Sequence, residues 1–252
     1  MKAPLSICLI ARDEESELAR CLDSLPAADE VIVVVDSRSV DGTEALARER
    51  ASRVEVRPYV GQSDQKAFCL SLARNEWVMI VDPDEVLPVA LATEIEEKLR
   101  DPDDGLCGLS VNRRTWHLGR WIMHGDFYPD WTLRLFRRSS ARWVGDDPHA
   151  RIEVDGRVER LSVDLEHYSY RDLADQVERI QQFSSESARA LSESGREFRI
   201  RDLLFRPPAR FLRAYLLRRG FMDGIPGLVI AWATAFHVFL KYAKLWEKGQ
   251  RG

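Results

Sequence analysis

The sequence contains few cysteines, and none of them is spaced as a metal-binding or redox pair. Cys8, Cys21, Cys69 and Cys107 stand in apolar or helical surroundings and form no Cys-x-x-Cys motif. This spacing predicts reduced thiols in a cytosolic protein and argues against a disulfide framework. Internal repeats and low-complexity tracts are also absent, and 45% of the residues are hydrophobic, which excludes a disordered or collagen-like chain.

A targeting segment and a long apolar run are missing as well. Leu5–Ala11 is apolar, but it has only seven residues and runs directly into the charged Arg12–Glu15, so we expect a buried first strand rather than a signal peptide. The C-terminal apolar run Leu228–Leu240 has thirteen residues, whereas a spanning helix needs about 20. We therefore expect this segment to lie at a membrane interface rather than to cross the bilayer.

Positive charge is scarce over most of the chain and concentrated at its end. The net charge is −4, but residues 196–252 hold twelve Lys and Arg against four Asp and Glu, a net of +8, and the remainder carries −12. This asymmetry predicts two parts, residues 1–170 and 171–252. A basic, apolar end favours an anionic membrane surface as partner, and no nucleic acid, because its aromatic residues form no stacking platform. A buried helical hairpin and a dimer interface are the alternatives.

Short apolar runs alternate with amphipathic stretches over the first 110 residues, which is typical of βαβ units around a parallel sheet. The predicted strands are Leu5–Ala11, Val31–Val35, Val54–Arg57 and Trp77–Val81, and the predicted helices are Glu14–Leu25, Glu44–Arg50, Ser63–Arg74 and Pro88–Arg100. Later strands are expected at Leu109–Asn112, Leu133–Phe136, Arg151–Val154 and Ser162–Leu165, followed by a helix from Leu173 to Ser194. The predicted fold class is α/β, with a mostly parallel sheet flanked by helices and a helical C-terminal extension.

Three of the predicted strands end in acidic or polar clusters, at Asp13–Glu14, Asp36–Asp41 and Asp82–Glu85. Since the carboxyl ends of parallel strands meet at one edge of a sheet, where ligands bind, these clusters predict a site there. The pair Asp82-x-Asp84 offers hard oxygens that suit Mg²⁺ or Mn²⁺. Such pairs also occur in ordinary turns.

Tryptophan and arginine are dense between residues 113 and 134. Side chains that can stack on sugars or bind phosphate and carboxylate occur in Arg113–Trp121, in Tyr128–Asp130 and at Arg134. This density indicates a pocket that binds a sugar. The alternative is that the tryptophans belong to the core.

Several motifs together resemble a known family. Ile7–Glu14, Val31–Thr43, Gln65–Lys66 and Trp77–Glu85 resemble the family 2 glycosyltransferases of GT-A fold. His124–Arg138, His149–Gly156, Leu165–Tyr170 and Phe221–Gly227 resemble one branch of that family, the WaaE-like lipopolysaccharide core β-glucosyltransferases. The resemblance implies inverting transfer of a hexose, glucose in this branch, from a UDP-sugar with the help of Mg²⁺ or Mn²⁺.

The resemblance also implies roles for single residues. The nucleotide-sugar site would comprise Ala11, Glu14, Asp36, Ser39, Asp41, Lys66, Asp82 and Arg134, with Asp36 bonding the uracil. The metal would be held by Asp84, Asp82 and His167. A hydrogen-bonded structural role is the alternative for His167.

Inverting transfer needs a general base for the acceptor hydroxyl. Members of the branch commonly have His-Glu where this chain has His149-Ala150, so the resemblance supplies no carboxylate at that position. Asp146 and Asp147 lie just before it, and we predict Asp147 as the base with Asp146 as its substitute. The alternative is that both residues solvate a turn.

The branch and the basic C-terminal part together predict a lipid-linked saccharide acceptor of lipopolysaccharide-core type. The enzyme would then be cytoplasmic and peripheral on the inner face of the cytoplasmic membrane. Polyprenyl phosphate is the alternative acceptor, because its phosphate is already ionised and needs no base, in keeping with Ala150. An inert sugar-nucleotide-binding or scaffold protein is a third possibility, against which the intact Asp82 and Asp84 argue.

Overall fold

The computed structural model describes residues 2–145 and 151–250. The chain divides into two compact units. The first, here called the sheet unit, comprises Met1–Arg113 and Trp131–His167, and the second, the helical unit, comprises Arg114–Asp130 and Tyr168–Gly252. The segment Arg114–Asp130, which charge patterning grouped with the N-terminal part, thus belongs to the unit that contains the C-terminal helices.

Parallel strands form the N-terminal half of the sheet unit. They are β1 (Leu5–Ala11), β2 (Glu30–Asp36), β3 (Arg53–Arg57) and β4 (Trp77–Ile80), which lie in the order β3-β2-β1-β4. Ile7 of β1 pairs with Val31 on one side and with Met79 on the other. Runs of apolar, β-branched residues favour such strands because both of their faces are covered.

Helices cover the two faces of this parallel sheet. They are α1 (Glu15–Ser24), α2 (Thr43–Arg50), α3 (Gln62–Leu72) and α4 (Val89–Arg100). Successive strand residues point to opposite faces. Leu9 and Val33 belong to the core cluster that contains Leu18 of α1, whereas Ile32 belongs to the opposite cluster, which contains Cys69 of α3.

Most of the later strands extend the sheet with mixed directions. The later strands are β5 (Glu85–Val86), β6 (Leu106–His117), β7 (Arg120–Trp121), β8 (Asp130–Arg137), β9 (Ala141–Val144), β10 (Arg151–Val154), β11 (Arg157–Arg160) and β12 (Leu165–His167). Past β4 the order continues β8-β6-β12-β5, with β8 antiparallel to β4 and β11 parallel to β6. A short 3-10 turn at Arg138–Ser140 precedes β9, which forms a separate two-stranded sheet with β10.

The strands and helices predicted for the first 100 residues are present, with ends shifted by no more than two residues. The four cysteines are free, as predicted. The strand predicted at Ser162–Leu165 is wrong, because β11 ends before it and β12 begins at Leu165. The backbone N–H groups of Ser162 and Val163 donate to the carboxylate of Glu94 instead of to a neighbouring strand.

Three helices dominate the helical unit. They are α5 (Leu173–Glu193), α6 (Ile200–Leu212) and α7 (Gly224–Gln250), with a π-helical turn at Arg213–Leu217 and a 3-10 turn at Gly220–Asp223 between α6 and α7. Asp223 is fully buried. Its Oδ2 accepts hydrogen bonds from the N–H groups of Met123 (3.1 Å) and His124 (2.8 Å), which ties the segment after β7 to the start of α7.

The C-terminal helix is longer than its most apolar run suggests. Gly220–Gln250 forms 31 helical residues whose most apolar window has a mean hydropathy of 1.4 and is 28% buried. This helix is long and apolar enough to cross a membrane, so the expectation drawn from the thirteen residues of Leu228–Leu240 alone is wrong about length. Length and composition do not separate a spanning helix from a core helix of a soluble protein.

Candidate active site

The loops after β1 and β2 lie at one edge of the sheet unit and are tied together by hydrogen bonds. The N–H of Asp13 donates to Ser39 Oγ (2.9 Å), and the N–H of Glu14 donates to Thr43 Oγ1 (2.9 Å). The first two acidic clusters therefore form one connected loop system, at the edge of the sheet where α/β proteins bind ligands.

Asp82 follows β4 and lies between two cations. Its Oδ1 is 2.6 Å from Lys66 Nζ of α3, and its Oδ2 accepts a hydrogen bond from Arg134 of β8 at 2.8 Å. Burial by itself would raise the pKa of Asp82, but the charges of Lys66 and Arg134 outweigh it and hold that pKa well below its usual range. Asp82 is therefore ionised, and it holds both cations in place.

Glu85 completes this cluster from a fully buried position. It forms an ion pair with Arg134, lies 3.4 Å from Arg113 of β6, and accepts a hydrogen bond from the N–H of Asp82 at 3.0 Å. Glu85 belongs to the acidic cluster after β4, and its sequence context alone predicts no role for it. A buried carboxylate that binds two arginines positions them, and only the pairing of distant strands brings these residues together.

Asp84 and His167 form the third part of the site. His167 Nε2 is 3.4 Å from Asp84 Oδ2. The antiparallel pairing of β12 with β5 sets His167 opposite Glu85, one residue after Asp84. In the sequence only the family resemblance links these two residues, and the short β5–β12 ladder is the physical cause of their proximity.

The side chains at this point are compatible with a divalent cation. Asp84 supplies a hard carboxylate and His167 an imidazole, a donor set that Mn²⁺ accepts more readily than Mg²⁺ does. Within residues 2–145 and 151–250, no three His, Cys, Asp or Glu side chains are grouped as metal ligands. The oxygens of Asp82, the third ligand that the resemblance implies, lie against Lys66 and Arg134, and its role toward a metal stays a prediction.

Glu14 lies between β1 and α1, close to the acidic residues after β4. Burial raises the pKa of Glu14 to about 7, and the negative charges of Asp84 and Asp82 contribute to the rise. Ala11, the last residue of β1, is buried just before it. A positive charge close to the Glu14 carboxyl group would favour its ionised form.

Asp36, at the end of β2, already has an ionic partner. Its side chain is 2% exposed and lies 2.7 Å from Arg38, and the hydrogen bond from Arg38 lowers the pKa of Asp36. Asp41 accepts hydrogen bonds from the N–H groups of Thr43 (3.0 Å) and Glu15 (3.1 Å), so it fixes the starts of α2 and α1. The loop is thus held in shape by the residues expected to bind the nucleotide.

A cleft of about 350 Å³ opens beside Asp82 in the sheet unit. It is lined by Gln62, Ser63, Lys66, Ile80, Asp82, Arg113, Trp131, Thr132, Leu133, Arg134, Trp143, Arg151 and Ile152. Its cations outnumber its one carboxylate, which suits a polyanionic ligand. Trp143 Nε1 and Arg134 Nε are buried without a hydrogen-bond partner among the described residues, so the cleft also holds unsatisfied donors.

Comparison with known proteins identifies the family of this chain. The model of the family "Glycosyl transferase family 2" matches residues 6–154. The chain belongs to glycosyltransferase family 2. It is a transferase, and the family predicted from the motifs is confirmed.

Relatives of this glycosyltransferase are similar over nearly their whole length. The lipopolysaccharide core biosynthesis glycosyltransferase LpsC of Rhizobium meliloti (strain 1021) is 32% identical over 98% of this chain and 93% of its own. An uncharacterized glycosyltransferase of Rickettsia typhi, RT0209, is 30% identical over 96% of this chain and 87% of its own.

A solved structure has the same fold at low sequence identity. The mannosyltransferase PcManGT of Pyrobaculum calidifontis, in complex with GDP-Man and Mn²⁺, is 15% identical, with a TM-score of 0.58 over 98% of this chain and 88% of that one. The predicted fold class is confirmed: an α/β glycosyltransferase of GT-A type with a mostly parallel sheet and an apolar C-terminal helix.

The residues predicted for the site divide into three groups in the glycosyltransferase. Lys66, Asp82 and Arg134 are in contact, and Asp84 contacts His167. The side chains of Ser39 and Asp41 lie 3.4 Å apart in the loop after β2, near Asp36. Asp146 and Asp147 lie outside the described residues, so their role as base stays a prediction.

Proposed function

We propose that this glycosyltransferase transfers a hexose, glucose in the first instance, from a UDP-sugar to a saccharide of lipopolysaccharide-core type, with inversion. The convergence of Lys66 and Arg134 on Asp82, beside the Asp84–His167 pair, carries the proposal. A cationic cleft next to a carboxylate–imidazole pair suits a diphosphate bound together with a metal ion.

The chemistry requires stabilisation of the leaving nucleotide. As the bond between the sugar and the diphosphate breaks, negative charge grows on the departing phosphate oxygens. Lys66, Arg134 and Arg113 surround the place where that charge would develop, and Glu85 holds the two arginines in position. Asp84 and His167 would hold the divalent metal, which, when bound, supplies Lewis-acid stabilisation of the diphosphate.

Asp147 is our candidate for the base that takes the proton of the acceptor hydroxyl. We predict that Asp147→Asn lowers the rate of transfer by about 10²–10⁴-fold, the usual contribution of a general base, and leaves UDP binding unchanged. The matched variant Asp146→Asn should retain more activity. Single-turnover transfer rates compare the two, and wild-type turnover of Asp147→Asn would contradict the assignment.

The relatives bear on the acceptor and on the donor. LpsC, named for lipopolysaccharide core biosynthesis, supports a core-type acceptor. PcManGT, bound to GDP-Man, makes a guanine nucleotide the competing donor to be tested. Polyprenyl phosphate stays the alternative acceptor because of Ala150. Family membership supports an enzyme and argues against an inert scaffold.

We further propose that the helical unit meets the anionic inner face of the cytoplasmic membrane, where a lipid-linked acceptor is found. Large apolar side chains are exposed from α6 to the start of α7: Leu204, Phe205, Leu212, Leu216, Leu217, Phe221, Met222 and Ile225. Among the described residues, Arg201, Arg213 and Arg219 form no ion pair. Exposed apolar groups interleaved with available arginines match the surface of an anionic bilayer.

Thermal stabilisation by UDP, CDP and GDP, each with and without Mn²⁺, tests the proposal. A ligand at a hundredfold excess over its dissociation constant stabilises the native state by about 2.7 kcal/mol. We expect a shift with UDP that requires Mn²⁺, followed by transfer from UDP-glucose to core saccharide. A shift with GDP alone would overturn the donor, and a product containing a sugar phosphate would identify the polyprenyl alternative.

A further inference from the structure

The helical unit has a cleft of its own, with a volume of about 480 Å³. Trp116, His117 and the Leu118–Gly119 turn line it, together with Tyr170 and the residues that begin α5. None of these residues lines the cleft of the sheet unit, and none has a role in the proposed handling of the donor.

The walls of this cleft are aromatic and held in place by other rings. Trp116 makes an edge-to-face contact with Trp121 at 5.1 Å, and Tyr170 makes one with His117 at 5.4 Å. Tyr170 also stacks on Phe127 at 6.0 Å. Fixed aromatic walls suit a ligand that has an apolar face and a polar rim, as a pyranose ring does.

His117 provides an unsatisfied polar atom at this site. The residue is 2% exposed, and its Nε2 has no hydrogen-bond partner among the described residues, although the ring also bonds Gln176. Burial lowers the pKa of His117, so the imidazole is neutral and has one N–H donor and one acceptor. Because buried polar groups are normally satisfied, a ligand hydroxyl, which both donates and accepts, is the expected partner.

The charges at the start of α5 are paired with one another and do not favour an anion. The carboxylate of Asp172 accepts a hydrogen bond from the N–H of Asp175 at 2.8 Å and so caps the helix. Asp175 in turn pairs with Arg171 and Arg179, at 3.4 and 3.3 Å. Because Asp172 occupies the helix end and the two arginines are already paired with Asp175, no excess positive charge favours a phosphate here. Neutral hydroxyl groups, in contrast, can donate to these carboxylates.

We propose that this cleft binds a neutral sugar ring of the acceptor saccharide. The binding of a sugar follows from the cleft itself, whereas its identity as part of the acceptor rests on the proposed function. The enzyme would then bind the acceptor through residues of the helical unit, and these residues are separate from those that bind the donor.

Titration with core oligosaccharide released from lipopolysaccharide by mild acid, followed by saturation-transfer NMR, tests the site on the full chain. Ala174 lines the cleft and is itself exposed, so Ala174→Phe fills the cleft without disturbing the core. We expect this variant to lose binding. His117→Phe should weaken binding about tenfold, the effect of one or two lost hydrogen bonds. Gln182→Phe, which introduces the same side chain at an exposed position of α5 outside the cleft, is the control.

The same samples are tested for the thermal shift with UDP and Mn²⁺, which separates the two proposals. Binding of the oligosaccharide that Ala174→Phe abolishes, with the nucleotide shift retained, supports the site. No binding by the wild type, with or without UDP and Mn²⁺, overturns it, as does equal binding by Ala174→Phe and Gln182→Phe. Oligosaccharide binding without any nucleotide shift would leave the cleft assigned and overturn the proposed donor chemistry.

Discussion

The sheet unit uses its buried charges differently from the helical unit. In the sheet unit, Lys66 and Arg134 share Asp82, and Arg134 also binds Glu85. This group forms part of the wall of a cleft in which cations predominate. The positive charges are held in place but still face a space that a ligand can enter, so they can act on a bound anion.

In the helical unit, the buried carboxylates are enclosed and matched. The side chain of Asp126 is 2% exposed and lies 2.8 Å from Arg210 and 3.2 Å from Arg218. Asp202, 6% exposed, lies 2.7 Å from Arg206. Arginine–carboxylate pairing alone therefore does not mark a functional site, and what distinguishes one is an excess of one charge beside an open cleft. Changes in the sheet unit should affect activity, and equivalent changes in the helical unit should affect folding.

Asp84→Asn should have a large effect on activity and a small effect on stability. Loss of one electrostatic contact made in the transition state costs about 10²–10³-fold in rate. Asp84 belongs to neither hydrophobic cluster, so we expect the near-isosteric change to lower the free energy of unfolding by about 1 kcal/mol or less. Rates of donor hydrolysis against Mn²⁺ concentration, together with urea unfolding, measure both quantities. Asp104→Asn, at an exposed position of the same unit, is the control.

A loss of stability in Asp84→Asn would contradict the proposed difference between the sheet unit and the helical unit. If the variant unfolds at markedly lower urea while its rate per folded molecule is unchanged, the Asp84–His167 pair is structural. The sheet unit would then use its charges as the helical unit does.

Asp223→Ala should show the reverse behaviour. The change leaves the N–H groups of Met123 and His124 without their acceptor and Arg120 without its buried partner. We expect a loss of about 3 kcal/mol in the free energy of unfolding, from unpaired donors and a broken buried ion pair. Urea unfolding measures the loss, and Asp223→Asn, which keeps one acceptor oxygen, should lose less.

The thermal shift given by UDP and Mn²⁺ should be unchanged in Asp223→Ala. A variant that stays as stable as the wild type but no longer responds to the nucleotide would contradict the structural role. It would also show that the helical unit contributes charge to donor binding.

The parallel half of the sheet unit could be predicted from sequence because its signals are local. Val31–Val35 is a continuous β-branched run, and Leu18, Cys21 and Leu22 repeat at helical spacing, so each element is evident without its neighbours. The short strands β5, β7, β9 and β11 were missed. They have two to four residues each and depend on pairing partners that are distant in sequence.

The acidic half of the site could likewise be predicted, and its basic half only in part. Asp82 and Asp84 are separated by one residue and follow β4, a strand that the sequence predicts. Arg113 and Arg151 come to the cleft from β6 and β10, and no sequence pattern links them to Asp82. Glu85 was overlooked because its role as the buried partner of two arginines exists only in the folded sheet.

Binding to anionic vesicles tests the proposed membrane-binding surface of the helical unit. Each arginine near an anionic bilayer contributes about 1 kcal/mol, so Arg213→Gln with Arg219→Gln should lower the partition coefficient onto anionic vesicles about thirtyfold. Sedimentation with vesicles of anionic and of zwitterionic lipid measures this. The pair Arg48→Gln and Arg50→Gln, exposed on α2 of the sheet unit, should have no effect. Equal losses in both pairs would mean that overall charge, and not this surface, governs binding.

The smallest expected effect concerns the pH dependence of folding through Asp202. The hydrogen bond from Arg206 lowers the pKa of Asp202, with a further one from Arg196. Because the folded pKa lies below the unfolded value of about 3.9, the stabilisation is present above about pH 4 and is lost as the pH falls through the lowered pKa. Both arginines are about half exposed, which limits the contribution to about 1 kcal/mol.

The difference in unfolding free energy between the wild type and Asp202→Asn measures this contribution. It should be present at pH 7, shrink toward pH 3 and weaken in 1 M salt, since solvent-exposed partners are screened by ions over about 3 Å. A difference independent of both pH and salt would mean that Asp202 acts through neutral hydrogen bonds at the start of α6. The helical unit would then owe its order to packing and capping, and the contrast with the charged cleft of the sheet unit would be greater.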